Sequence, residues 1–461
     1  MKPAQVSVVM LPLPAQSHLN QLLQLSAHIA SAGLPVHFLG SATHNRQAQL
    51  RFGHGLEPKS TFHQMIHFHD LPTPPIAAVD PDPNAPDKLP VHMSAATSAY
   101  LSLRGPVAEL VLEMSLNTTR VVVIYDRLMI EVIRDAVSIP NAEFYGFNCI
   151  SVFSLFLVLW EAMGKPFEVE GELKKVTSVK EFLSEGLVNF IASKSELFDG
   201  RAGDIHNTSR LIEGPYMDLL SRQEISGGKK QWAIRPSISP RSTEGGGSRH
   251  TCLDWLDKQA PRSVIYVSFG TTTSFSDEEA MEFAIGLEQS KQKFVWVLRD
   301  ADKADIFAGG EARKIGLPKG FEEKVKENGL VLRYWVPQKE ILAHKSIGGF
   351  MSHCGWNSCY ESIAAGVPVA AWPIHSDQPM NALFLTEVLK IGFTVGKWEE
   401  RKEMVKAERI KNVVERLMAS EEGDEMRRRA QVLSAAIVES TAADGGESGR
   451  EFDEFISHIS R

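Results

Sequence analysis

The chain has 461 residues, 43% of them apolar, and a formal net charge of −8 at pH 7. That length suits two domains of ordinary size, and the missing basic excess argues against nucleic acid or an anionic membrane surface as partner. Four cysteines, at 149, 252, 354 and 359, are too few and too scattered for a disulfide framework.

Val6 to Leu13 is apolar but carries Pro12 and is followed by Pro14, with no small-residue cleavage pattern behind it. It reads as a first buried strand rather than a secretion signal, and no later run reaches the roughly eighteen apolar residues of a membrane span. The expected compartment is the cytosol. Asn117-Thr-Thr and Asn207-Thr-Ser fit the glycosylation pattern, which has no meaning there. Pro35 to Leu39, Met65 to Phe68, Val121 to Tyr125 and Phe144 to Phe147 are further short apolar runs. Helical stretches lie between several of them, such as Leu19 to Ser31 closed by Gly33. Strands alternating with helices predict a parallel, doubly wound sheet. Residues 71–90, rich in Pro and Asp, are a surface loop, and 151–225 holds amphipathic helical pieces without a clear place.

Two polar groups in this half stand at strand ends. His18, in Pro14-Ala-Gln-Ser-His-Leu-Asn20, follows the first strand at the carboxyl edge where open α/β sheets bind ligands. It is a candidate general base near neutral pH; the bland alternative is a histidine at a helix start with no special role. Asp126 ends Val121 to Tyr125 and can reach a histidine on a neighbouring loop, or else pair with its neighbour Arg127. His63, His67, His69 and Asp70 fit a strand and its exit better than a metal site.

Ile225 to Arg249, with ISGGKKQ, RPSISPR and STEGGGS, reads as an interdomain linker. The α/β pattern restarts with Ser263 to Phe269 and continues through Phe294 to Leu298, Leu330 to Tyr334 and Gly392 to Val395. Ser268-Phe-Gly-Thr271 offers hydroxyls beside a glycine turn, suited to phosphate. The acidic pair Glu278-Glu279 reads as a solvated helix start. No Walker loop or GxGxxG is present. Residues 403–461 are charged and helical.

Trp335 to Gln378 is the richest stretch. Ser346 to Met351 predicts a buried strand, Ser352 to Gly355 a turn, Trp356 to Ala365 a helix stopped by Gly366, and Pro368 to Trp372 the next strand. A helix start after a parallel strand presents free N–H groups and the positive dipole end to phosphate. His353, Asn357 and Ser358 surround that start, and Glu361 shares their helix face, where a carboxylate can accept from two ribose hydroxyls. Trp335 and Gln338 can hold a flat base, and Asp377 and Gln378 a polyol. His353 with Cys354 and Cys359 lacks a second ligand pair at metal spacing.

This stretch, with HCGWNS, ES, GVP, AWP and DQ in register, closely resembles the donor signature of plant UDP-sugar-dependent glycosyltransferases (family 1). The resemblance implies two Rossmann-like domains facing across a cleft, the GT-B arrangement. Residues 1–240 would form the acceptor domain, 250–440 the UDP-sugar domain, and 441–461 a helix packing back on the first. It implies that Trp335 stacks on uracil, with Val336 and Gln338 addressing its edge and neighbouring groups. His353, Trp356, Asn357 and Ser358 would surround the pyrophosphate, with Thr271 beside it. Glu361 would take the ribose, and Asp377 and Gln378 the sugar hydroxyls. Gln378 leans toward glucose. His18 matches the family's catalytic histidine and Asp126 its partner. Ser17 stands where the family commonly has Gly, Gln21 where it commonly has Pro, and Arg127 where an apolar residue is commoner, a competitor for the Asp126 carboxylate.

The reaction so implied is inverting transfer: His18 takes the acceptor proton, the oxygen attacks opposite the leaving UDP, and no metal or other cofactor is needed. Passages such as VSFGTTTS, KFVWVLRDADKADIF and AWPIHSDQP resemble most the zeatin O-glucosyltransferases, which glucosylate the hydroxylated side chain of a cytokinin. Flavonoid, phenol or terpenoid acceptors are the alternatives. A glycoside hydrolase would need two flanking carboxylates, and only Asp126 stands out. A catalytically silent UDP-sugar binder would not need both His18 and Asp126. The expected partners are a UDP-sugar and a small acceptor, bound by a monomer.

Overall fold

The protein is described from a computed structural model covering residues 4–52, 64–76, 79–85, 88, 90–175, 178–183, 200–234, 249–308, 313–440 and 446–461. Short apolar runs without alternation suit strands buried on both faces, as parallel sheets require. The first half supplies seven: β1 (Ala4–Leu11), β2 (Val36–Gly40), β3 (Ile66–Asp70), β4 (Thr118–Asp126), β5 (Ala142–Asn148), β6 (Gly203–His206) and β7 (Lys230–Ala233). They form one parallel sheet in the order β3-β2-β1-β4-β5-β6-β7. The second half adds β8 (Val264–Ser268), β9 (Lys293–Val297), β10 (Gly329–Leu332), β11 (Ile347–Ser352), β12 (Val369–Ala371) and β13 (Gly392–Thr394). These make a second parallel sheet, β10-β9-β8-β11-β12-β13. In each sheet the order reverses beside its first strand, between β1 and β4 and between β8 and β11. A doubly wound sheet opens a crevice at that point.

The helices that matter for the site are α1 (Gln16–Ser31), α2 (Ala42–Phe52), α3 (Val152–Ala162), α4 (Arg210–Leu220), α5 (Asp277–Ser290), α6 (Gln338–Leu342), α7 (Trp356–Ala365), α8 (Gln378–Leu383), α9 (Ala407–Ala419), α10 (Glu421–Ser440) and α11 (Glu447–Ile459). Gly366, at φ +69°, ends α7 in the left-handed conformation that glycine adopts without a Cβ clash. Glu279 is no mere solvated start: it closes a capping box with Ser276 at the head of α5 and pairs with Lys88 of the first half. Among the described residues no helix is long and apolar enough to cross a membrane.

The linker expected from Ile225 to Arg249 is shorter than the sequence suggests. Gly227 and Gly228, both at positive φ, turn the chain into β7, whose Trp232 is fully buried. Residues 235–248 lie outside the described residues. An apolar cluster joins the halves: Phe153 of α3 stacks on Phe384, ring centroids 5.2 Å apart, in one core with Trp356, Met380 and Ile437.

Candidate active site

Both crevices open into one cavity of about 1230 Å³, larger than the roughly 300–1,000 Å³ of a single small-ligand site. His18 sits in the first turn of α1, just past β1, and Asp126 is the last residue of β4. Adjacency of β1 and β4 brings them together, with Nδ1 of His18 2.5 Å from Oδ2 of Asp126. Asp126 is 2% exposed and His18 17%. The carboxylate also accepts the Leu128 N–H at 3.0 Å and the Cys149 thiol at 3.3 Å. Because an ionised carboxylate only accepts, Nδ1 carries the hydrogen and Nε2 is left as the basic nitrogen. Burial lowers the His18 pKa, the charge and hydrogen bond of Asp126 raise it, and the net displacement is upward. Arg127 does not compete for Asp126; it lies 3.6 Å from Asp204 instead.

The opposite wall is the second half. Gly355 caps α7, so the first-turn N–H groups of Trp356, Asn357 and Ser358 face the cavity they line. The His353 ring lies between two glycines: a Cβ on Gly270 would come within 2.5 Å of its Nε2, and one on Gly355 within 2.6 Å. Burial pushes the His353 imidazole down to about 4, so it meets a ligand as a neutral donor rather than a cation. Thr271 lines the same wall, and its carbonyl accepts the Asp302 N–H at 2.7 Å. Gln338 donates to Ser358 Oγ at 3.0 Å and to Glu361 Oε2 at 2.8 Å, which fixes that carboxylate and leaves Oε1 for another partner. Val336 is 7% exposed and packs with Leu332 and Ile341, so it offers main chain more than side chain.

Further along the same wall, Asp377 Oδ2 accepts from Asn381 Nδ2 at 2.8 Å. Gln378 spends its Oε1 on the Ile374 and His375 N–H groups, at 2.8 and 3.0 Å, and its Nε2 lies 3.4 Å from His375 Nδ1. His18, Asp126, Thr271 and the candidates of the 335–378 stretch thus line one cavity. His67, His69 and Asp70 lie apart on edge strand β3, with His69 Nε2 2.9 Å from His37 Nδ1; His63 is outside the described residues. Among the described residues, the one group of three potential metal ligands within 4.8 Å is His18, Asp126 and Cys149, and two of those atoms already bond each other.

Other contributors carried no local signal. Arg51 of α2 stacks on Trp335 at 4.5 Å while bonding Asp302 at 2.5 and 3.0 Å, so the first half reaches across the cavity to Trp335. Asn381 accepts from Ser151 and Ser154 across the cleft, at 2.7 and 2.9 Å. Thr272 and His375 meet at 3.2 Å on the cavity wall. These are pairings between remote positions, and no spacing rule reveals them.

Residues 4–239 match the family model described as Glycosyltransferase, N-terminal domain, and 249–422 that described as UDP-glucoronosyl and UDP-glucosyl transferase. The chain is 49% identical to a zeatin O-glucosyltransferase of Phaseolus lunatus, over 99% of this chain and 97% of that one. It is 48% identical to a zeatin O-xylosyltransferase of Phaseolus vulgaris, over 99% and 98%. A UDP-glucosyltransferase from Polygonum tinctorium capable of glucosylating indoxyl superposes with a TM-score of 0.78 at 25% identity, over the whole of both chains.

Proposed function

The chain belongs to the UDP-glucosyl and UDP-glucuronosyl transferase family and is a UDP-glycosyltransferase of GT-B fold; from that premise we propose that it glucosylates the side-chain hydroxyl of a zeatin-type cytokinin. Its similarity to zeatin glycosyltransferases over nearly the whole chain supports this acceptor. So does the apolar wall of the first half, where Met93, Leu128, Phe147, Ile150, Leu155 and Leu159 line the cavity beside His18. Residues 1–240 serve the acceptor and 250–440 the donor, with 441–461 returning to the first half.

The 2.5 Å bond between His18 and Asp126, opening on the cavity opposite the 335–378 wall, carries the reading. The acceptor O–H gives its proton to His18 Nε2 as its oxygen forms the bond to the anomeric carbon. The bond from that carbon to the UDP oxygen breaks on the opposite face, and its electron pair leaves with UDP, giving a β-glucoside. Asp126 stabilises the imidazolium. Trp335, Val336 and Gln338 hold the base, Glu361 the ribose, and Asp377 and Gln378 the hexose. Charge growing on the diphosphate is met by the α7 N–H groups around Trp356 and Asn357, by Ser358 and Thr271, and by neutral His353. We assign no metal to the step, and take the working form to be a cytosolic monomer.

The test is turnover with UDP-glucose and UDP-xylose against zeatin, a flavonoid and a simple phenol, with products read by mass spectrometry. Zeatin glucoside is the expected main product. A xyloside instead would move the donor assignment, and glucosylation confined to the phenols would remove the cytokinin. His18→Ala should lower transfer by about 10²–10⁴-fold with UDP binding intact.

A further inference from the structure

At position 21, where the family commonly carries proline, this chain has glutamine. Proline there would offer no N–H and no polar side-chain atom. Gln21 lies in α1, three residues past His18, and is 4% exposed. Both ends of its amide are bonded. Nε2 donates to the Cys149 carbonyl at 3.0 Å, just beyond β5, and Oε1 accepts from Asn207 Nδ2 at 2.5 Å, just beyond β6. The run continues on either side. Cys149 Sγ donates to Asp126 Oδ2, the oxygen that holds His18 Nδ1. The Asn207 carbonyl accepts from Trp356 Nε1 at 2.9 Å, the first residue of α7. Asp126, Cys149, Gln21, Asn207 and Trp356 are each less than a tenth exposed. An unbroken hydrogen-bonded path therefore runs from the catalytic pair to the helix that faces the diphosphate, and it crosses from one half to the other.

We infer that Gln21 and Asn207 are positioning residues for glycosyl transfer, setting the separation between the His18 imidazole and the anomeric carbon held by the second half. The inference rests on His18 being the base. A buried amide bonded at both ends resists displacement, because moving it leaves polar atoms unpaired away from water. No proton travels along the path; it acts through distance alone. Reaction geometry is sensitive to such shifts, since a misplacement of about 1 Å can cost on the order of 10²-fold in rate.

Gln21→Met keeps the side-chain length and removes both bonds. We expect its kcat to fall by about tenfold or more while its UDP affinity, read by calorimetry, stays within about twofold. Asn207→Ala breaks the same contact from the other end and should do likewise. The double variant should be no slower than the slower single, since residues sharing one contact are non-additive. A purely structural role would lower the thermal midpoint and leave kcat of the folded fraction unchanged. An unchanged kcat, a loss confined to UDP affinity, or multiplicative single effects would each overturn the inference. If Gln21→Met fails to fold, Asn207→Ala decides alone. His18→Ala is run beside them: its survival would sink the base assignment, whereas a dead His18→Ala with an unimpaired Gln21→Met sinks only the positioning role.

Discussion

Asp126 accepts hydrogen bonds from His18, Leu128 and Cys149, and each constrains a different thing. The Leu128 N–H holds the carboxylate at the end of β4. His18 takes its tautomer from the carboxylate. The Cys149 thiol stays protonated, because burial and then the Asp126 charge push it well above its ordinary value, so it remains a donor. The upward displacement of His18 has a kinetic sign. A base works only when unprotonated, so the acid limb of kcat/KM should have its midpoint above the ordinary histidine value of 6.5. In Asp126→Asn the charge that raises the imidazole is gone and burial, which lowers it, prevails. The limb should move below 6.5, while the plateau falls by roughly 10²–10⁴-fold through loss of orientation and of imidazolium stabilisation. A pH–rate profile of both proteins checks this; a limb that stays in place would remove Asp126 from the pair.

Between α3 and α4 a carboxyl is buried with no cation beside it among the described residues, facing the Phe153 and Val152 N–H groups and the Thr208 hydroxyl. Glu213 of α4 is fully buried, and its Oε1 accepts the Phe153 N–H at 2.8 Å, at the start of α3. Burial raises its pKa to about 7 from the ordinary glutamate value of 4.5, partly offset by hydrogen bonds to the charged form. A carboxyl raised in the fold binds more protons folded than unfolded between those values. Its contribution to stability is therefore intact below about 4.5 and lost as pH rises toward about 7, on the order of 2–4 kcal/mol in all. Glu213→Gln keeps the acceptor and should flatten that decline in the thermal midpoint between pH 5 and 8; an equal decline in the variant would refute the assignment. The same region marks where sequence patterns lose their grip. In β11 and α7 the apolar run, the helix start and the stop at Gly366 agree, and the α7 bounds follow from the sequence alone. In α3, VFSLFLVLWEA is apolar on every side because both halves pack around it, so periodicity does not orient it. The four residues of β6, GDIH, and of β7, KQWA, have neither alternation nor an apolar run. They become strands because β5 offers an edge and Gly203 lets the Trp232 ring come close: a Cβ there would meet that ring at 2.4 Å. The site divides the same way. The candidates of the 335–378 wall lie in one contiguous stretch and line the cavity together, whereas Arg51, Asn207 and Asn381 act through partners hundreds of residues away or across the cleft.

Across the whole molecule the chain crosses back on itself. α10 packs against α7 of the second half, and α11 then returns to the first sheet. Phe452, Phe455 and Ile459, spaced to share one helix face, are 8%, 0% and 0% exposed in the core of β1, β2 and β4. The Phe455 ring stands 5.2 Å from that of Trp232 and 5.6 Å from that of Tyr145. Polar contacts hold the rim: Glu451 pairs with Arg210 and accepts the Ala233 N–H, and Arg120 donates to the carbonyls of His458 and Ile459 at 3.0 and 3.1 Å. The last residues are thus part of the first half's core, and the strap they end ties that half to α7, the helix whose first turn lines the cavity. Phe455→Ala should cost about 3–5 kcal/mol, as large-to-small changes at fully buried aromatics do. With two halves unfolding is not a single transition, so the loss should appear as a lowered midpoint of the phase reported by Trp232 fluorescence. With UDP held by the second half, as proposed above, the phase that UDP protects should keep its midpoint and its rise with UDP concentration. Lowering of the UDP-protected phase alone would place α11 energetically with the second half, against the packing that buries Phe455 in the core of the first half.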